Sequence, residues 1–173
     1  MLSGRLQRAG VSTTWAQADL ATGDLPAWQY RDIADGSTRL VSVPAAHPEL
    51  GNVVGVADIV EAVREKSRAW VLVDASAYAP YRPLDLDAWG ADIAAVDMAQ
   101  FGGPEIAALI FRDAAMFKRL DREALELEVS PGLAGGVPAT VEHYASLVEG
   151  AAGRSSRRNR LKYSMGCLLY TSD

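Results

Sequence analysis

The sequence contains few residues whose type and spacing could support chemistry, and the clearest of them is Asp74. It ends the apolar run WVLVDAS, and an aspartate at the carboxyl end of such a strand stands where α/β sheets bind ligands. The same carboxylate could instead cap the following turn, and the pattern leaves both roles open. His47 and His143 lie far apart without metal-binding spacing, so structural roles are expected for them. Spacing alone therefore predicts no catalytic residue and no metal site.

Composition limits the classes of protein to which the chain can belong. It has 173 residues, 49% of them hydrophobic and 23% charged, as in ordinary globular domains. The net charge of −5 argues against a general nucleic-acid binder. No apolar run approaches the roughly 18 residues that a membrane helix needs, and the first residues have no signal-peptide core. With Cys167 as its one cysteine, the chain is expected in a reducing cytoplasm.

The elements that must position Asp74 follow an alternation of apolar strands and amphipathic helices. The predicted strands are Val11–Gln17, Leu40–Ala46, Trp70–Ser76, Ile93–Ala99 and Ile106–Arg112. Three of them are apolar on both faces, which is typical of strands covered by helices. Helices are predicted at Pro26–Ala34 and Val56–Lys66, the second with a single apolar stripe. The pattern indicates an α/β fold built from βαβ units.

One connection predicts that the sheet is mixed. MAQFGGPE joins the last two strands, and a parallel pair would need a connection of about a dozen residues. Ile106–Arg112 is therefore expected to run antiparallel to the strand before it, or to lie elsewhere in the sheet, and we predict that it is antiparallel to the strand at Leu40. The fold class predicted from the residues is α/β with a mixed, mostly parallel sheet.

The remainder of the chain is predicted to be mainly helical. A helix should begin at Asp113, and another should cover Thr140–Gly150, whereas the glycine- and proline-rich stretch Leu125–Pro138 should form a loop or short strand. The basic run Arg154–Lys162 favours a solvated helix start over a ligand site. The helical pattern should stop before Gly166–Asp173, which reads as a non-native junction. We expect one partial domain over residues 1–165, cut at both ends, and a tail over 166–173.

An ordered set of short motifs resembles the class V aminotransferase and cysteine desulfurase family of pyridoxal-phosphate enzymes. The motifs are Val73-Asp74-Ala75, Pro80, Pro83, Asp85, Gly90-Ala91-Asp92 and Gly103-Pro104. The resemblance implies fold type I, in which a mixed, mostly parallel sheet lies between two helical layers of a large domain. It also implies pyridoxal phosphate as cofactor, an amino acid as substrate and a homodimer.

The family's site residues are only partly present. Asp74 matches the aspartate that pairs with the protonated ring nitrogen and keeps the ring an electron sink. Gln100 stands where the family has its Schiff-base lysine, and an amide nitrogen cannot form that bond. Asp97 replaces a serine near the phosphate, where its charge should repel the ligand, and Pro48 aligns with a cofactor-side asparagine. We therefore expect no covalent cofactor, and a non-catalytic homologue using the fold for binding or dimerisation stays as the alternative.

Overall fold

The computed structural model describes residues 8–120 and 129–170. Its strands are β1 (Leu40–Pro44), β2 (Trp70–Asp74), β3 (Ile93–Asp97) and β4 (Ala107–Phe111). Its α-helices are α1 (Ala27–Ile33), α2 (Val56–Arg64), α3 (Leu86–Trp89), α4 (Ala114–Phe117), α5 (Pro131–Ser146) and α6 (Arg157–Tyr170). Two 3-10 helices complete the described chain, η1 (Met98–Phe101) and η2 (Ala151–Gly153).

The four strands form one mixed sheet in the order β1-β2-β3-β4. The first three are parallel, and β4 pairs antiparallel with β3. The connection between β3 and β4 holds only η1 and a turn, so the chain reverses direction instead of crossing over. The predicted α/β fold with a mixed, mostly parallel sheet is thereby confirmed.

The hydrophobic core lies on one face of this sheet. Alternate strand residues, among them Val43, Val73 and Val96, are buried there. Helix α2 packs on the same face through the stripe that its sequence predicts, in which Ile59 and Val63 are fully buried. Burial of each such side chain stabilises the fold by about 1.5–3 kcal/mol.

The opposite face of the sheet is more open within the described residues. Leu40 and Leu109 expose about half of their surface there, at 53% and 52%. Trp70 and Leu72 are half-buried. Helix α4 reaches this face at one corner, where the rings of Phe117 and Phe111 meet edge to face at 5.6 Å.

Two predicted elements are wrong. Val11–Gln17 is not a strand. At its last residue the side-chain amide of Gln29 accepts from Gln17 N–H at 2.7 Å and donates to Gln17 O at 2.8 Å, so this backbone pairs with a side chain and not with a neighbouring strand. The described part of Leu125–Pro138 is not a loop, since residues 131–138 open helix α5. Pro131 suits the first turn, and Gly136 lets the helix approach Pro104 closely.

The C-terminal segment also departs from expectation. Helix α6 runs through to Tyr170, so the prediction that the helical pattern stops before Gly166 is wrong. It begins inside the basic run, where Arg157 and Arg160 both bind the carboxylate of Glu142, which confirms a solvated helix start. Residues 171–173 and the side chains of 168–170 lie outside the described part, so the domain boundary at 165 stays a prediction. Among the helices that the structure describes, none combines the length and apolar character needed to cross a membrane.

Candidate functional site

The parallel strands bring the predicted site residues to one edge of the sheet. Asp74, the last residue of β2, pairs with Pro44 of β1 and with Ala95 of β3. Gln100 lies in η1, which begins immediately after β3. Asp74 and Gln100 therefore occupy the carboxyl ends of adjacent strands, as the sequence predicts.

Asp74 combines the two roles that the sequence leaves open. Its Oδ1 atom accepts a hydrogen bond from the backbone N–H of Ser76 at 3.0 Å, which caps the turn after β2. Its Oδ2 atom has no hydrogen-bond partner among the described residues, and the side chain is exposed. The turn thus fixes the orientation of the carboxylate while one oxygen stays accessible to a ligand.

Asp97 has a structural role that the sequence analysis did not predict. It caps η1, because its Oδ1 accepts from the backbone N–H of Ala99 at 2.9 Å. The register places Asp97 on the same sheet face as Asp74, since Asp74 pairs with Ala95 and side chains alternate along a strand. Two carboxylates thus stand on one face of this edge, which gives it negative charge.

None of the chain's three lysines belongs to the strand ends or the turns that form this edge. Gln100 is exposed in η1. Lys66 follows α2 and precedes β2, so it lies at the amino edge of the sheet. Lys118 follows β4, whose last residue pairs with the first residue of β3 at that same edge. Lys162 lies on α6 beside Tyr163 and Arg154. These positions do not fit a covalently held pyridoxal phosphate.

Asn52 is a candidate site residue that the sequence analysis missed. It lies in the loop between β1 and α2, which also contains Pro48, the residue aligned with the family's cofactor-side asparagine. Its neighbour Val53 forms a bridge with Ala46, which returns the loop to the carboxyl end of β1. Its Nδ2 donates to the carbonyl of Gly23 at 3.0 Å, while its buried Oδ1 has no described partner. The signal in the sequence that could have identified Asn52 is its position three residues before Gly55, the N-cap residue of α2.

Tyr144 of α5 joins the two segments that carry the site. Its hydroxyl donates to the carbonyl of Pro80, in the loop after Asp74, at 2.5 Å. Its ring meets that of Phe101, next to Gln100, edge to face at 5.0 Å. Burial raises the pKa of the Tyr144 phenol, with a smaller contribution from Tyr81, so the hydroxyl stays a donor. Helix α5 therefore contacts both the loop after β2 and the 3-10 helix η1.

The Gly-Ala-Asp motif belongs to a different place, the amino edge of the sheet. Asp92 is buried at 5% exposure and accepts hydrogen bonds from Arg64 at 2.5 Å, from Arg112 at 2.9 Å and from Val71 N–H at 2.8 Å. Its role is therefore structural. Among the residues described, no cluster of histidine, cysteine or acidic side chains could hold a metal ion.

Comparison with known proteins connects this geometry to a family. The family model described as Aminotransferase class-V matches residues 5–121. The "Uncharacterized protein MT3887" of Mycobacterium tuberculosis is 39% identical over 169 residues, covering 91% of this chain and 42% of that protein. The "Aminotransferase-like protein FGM3" of Gibberella zeae is 34% identical over 101 residues, covering 58% of this chain and 25% of that protein.

The fold is also similar to that of a solved structure. The structure described as "SspA in complex with cysteine" superposes with a TM-score of 0.70 at 26% identity, over 82% of this chain and 43% of that one. The chain spans less than half the length of each of these relatives. The family match covers well over half of the chain and includes the strand that ends in Asp74 and the helix that carries Gln100. This chain belongs to the class V aminotransferase family.

Proposed function

We propose that this chain forms a lysine-free pyridoxal-phosphate-type site, which binds its ligand without a covalent bond to the protein. One observation carries the proposal: Gln100 occupies the lysine position beside Asp74, and the three lysines of the chain lie elsewhere. The family supplies the expectation of pyridoxal phosphate, whose ring serves as an electron sink when it is bound and protonated.

The residues present support recognition of such a ligand. The unpartnered Oδ2 of Asp74 would accept a hydrogen bond from the protonated ring nitrogen, a charge-assisted contact that favours the charged ring. The unpartnered Oδ1 of Asn52 is an acceptor held at the neighbouring strand end. Asp97 opposes a phosphate dianion at this edge by charge repulsion. Together these residues favour weak binding over tight retention.

An amino acid is the proposed co-ligand or substrate class. Support comes from the family and from the relative described in complex with cysteine. A homodimer remains a prediction of the same resemblance, and a cytoplasmic location remains a prediction of the composition.

The second candidate function is that of an active pyridoxal-phosphate enzyme, to which this chain contributes one part. The length of the relatives favours it, because the chain spans 42% of the Mycobacterium tuberculosis protein and 25% of the Gibberella zeae protein. In that case a lysine from another part of the protein would act as the nucleophile.

The test is to add pyridoxal phosphate, reduce with borohydride and locate any adduct by mass spectrometry. We expect no adduct in the wild type and little in Gln100→Lys, which returns the nucleophile but keeps the charge of Asp97. Gln100→Lys with Asp97→Ser should show a clear adduct and a visible absorbance band, since serine can still cap η1.

A matched control places the same two changes away from the site. Gln17→Lys with Asp113→Ser introduces the same residue types and preserves a helix cap, because Asp113 caps α4 as Asp97 caps η1. This control should show no adduct above background. A strong adduct in the wild type would overturn the proposal and identify the lysine that serves in place of residue 100.

A further inference from the structure

A groove at the amino edge of the sheet has a chemistry that the proposed function does not use. It encloses about 520 Å³ beside the first residues of β1 and the turn between α2 and β2. Four cationic side chains line it, those of Arg39, Arg64, Lys66 and Arg68, and Glu65 is the acidic residue among them. This grouping of positive charge occurs in a chain whose net charge is −5.

Two of the guanidinium groups are held in place by hydrogen bonds. Arg64 donates to both the carboxylate of Asp92 and the carbonyl of Ala69. Arg39 donates to the carbonyl of Gly36 at 3.0 Å. Because guanidinium groups offer several donors in a fixed fork, both retain further donors for a ligand. Ordering these arginines on binding would therefore cost little side-chain entropy.

The hydroxyl groups of the groove are also positioned. Ser67 is buried at 5% exposure, and its Oγ donates to the carbonyl of Thr38 at 3.3 Å and accepts from Ala69 N–H at 3.0 Å. Thr38 is held by the carboxylate of Asp35, which accepts its N–H at 3.1 Å. The floor of the groove is thus a hydrogen-bonded turn.

The positive charge of the groove is only partly compensated. Asp92 balances Arg64. Lys66 and Arg68 are exposed, and neither side chain makes an ion pair or a hydrogen bond with a described residue. The cations Arg39, Lys66 and Arg68 outnumber the nearby carboxylates of Glu65 and Asp35. The groove therefore has a surplus of positive charge. An exposed cation surplus of this kind attracts anions of several charges more strongly than monovalent ones.

We propose that this groove binds a small oxyanion with two or more negative charges, such as a phosphate ester or a polyphosphate. Guanidinium forks and ammonium groups are protein donors that suit phosphate oxygens. The groove and Asp74 lie at opposite ends of β2, roughly 13 Å apart at about 3.3 Å per strand residue. That separation exceeds the screening length of about 8 Å at physiological salt, so binding here is independent of the Asp74 edge.

The experiment titrates inorganic pyrophosphate into the whole chain by calorimetry. The wild type should show one saturable site whose affinity falls with added salt. Lys66→Ala with Arg68→Ala should weaken binding by about tenfold or more, because two charge-assisted contacts are lost. The control, Lys118→Ala with Arg119→Ala, removes two adjacent exposed cations outside the groove and should change the affinity less than about twofold.

Three outcomes would overturn the proposal: no saturable binding by the wild type, unchanged affinity in the groove variant, or an equal loss in the control. The last would mean that net charge alone attracts the anion. Circular dichroism checks that each variant is folded. The single changes Lys66→Gln and Arg68→Gln supply a second measurement, and each should weaken binding by a smaller factor than the double variant.

Discussion

Replacing Asp92 by asparagine should destabilise the fold strongly, although Asp92 lies far from the candidate site. The Asp92 side chain is 7% exposed and receives hydrogen bonds from Arg64, Arg112 and the Val71 N–H. Asparagine keeps the shape but not the charge, and its amide donors would meet arginine donors. Removing one partner of a fully buried ion pair costs about 3–5 kcal/mol.

The expected cost is smaller than that limit because the arginines are partly solvated. The side chains of Arg64 and Arg112 are 34% and 38% exposed, so water can replace some of the lost contacts. We therefore expect Asp92→Asn to lower the free energy of unfolding by about 2–3 kcal/mol. For a chain of this length the melting temperature should fall by roughly 5–10 °C.

Urea unfolding followed by tryptophan fluorescence measures this difference, with the denaturant slope checked for change. The matched control is Asp113→Asn, the same substitution at an exposed helix cap that asparagine also fills well. The control should change stability by less than about 0.5 kcal/mol. If Asp92→Asn costs no more than the control, the view that the buried charge organises the amino edge is wrong.

Two further predictions concern helix α5. Tyr144→Phe should cost about 1–2 kcal/mol at pH 7, because the carbonyl of Pro80 loses its donor. Since burial raises the pKa of Tyr144, its contribution is full below the unfolded value of about 10 and is lost as pH rises through the higher folded value. Urea unfolding at pH 7 and above pH 10 should therefore show a steeper alkaline loss in the wild type than in the variant, and equal losses would contradict this. Gly103→Ala should cost about 1–3 kcal/mol in thermal melts, because its Cβ would lie 2.5 Å from Thr140 Oγ1, whereas Gly135→Ala, with no atom within 4 Å, should be neutral or stabilising.

Sequence patterns predicted the sheet well because its signals are local. The apolar runs that end in Asp74 and Asp97 form the strands that their composition favours. The short connection MAQFGGPE fixed the direction of β4 by length alone. Asp74 was predictable for the same reason, since the end of a strand can be located from its last apolar residue.

The errors arose where a distant contact decides the local structure. Val11–Gln17 resembles a strand, but the backbone of its last residue, Gln17, pairs with the side chain of Gln29. The glycines and prolines before Thr140 resemble a loop, yet they form the helical surface that packs on the Gly103 turn. Asn52 could not be recognised from its own segment, because the bridge between Val53 and Ala46, which returns the loop to the end of β1, is not visible in the sequence.

The order of the strands in the sheet has a consequence for how the chain folds. The described strands lie in the sheet in the order in which they occur in the sequence. The number of residues between paired positions decreases along the chain, as the pairs Leu40 with Trp70, Leu72 with Ile93, and Asp97 with Ala107 show. Each new strand therefore docks on one that already exists, and each closes a shorter loop at a smaller entropic cost. The four described strands can therefore pair one after another, from β1 to β4, while the ribosome is still releasing the chain.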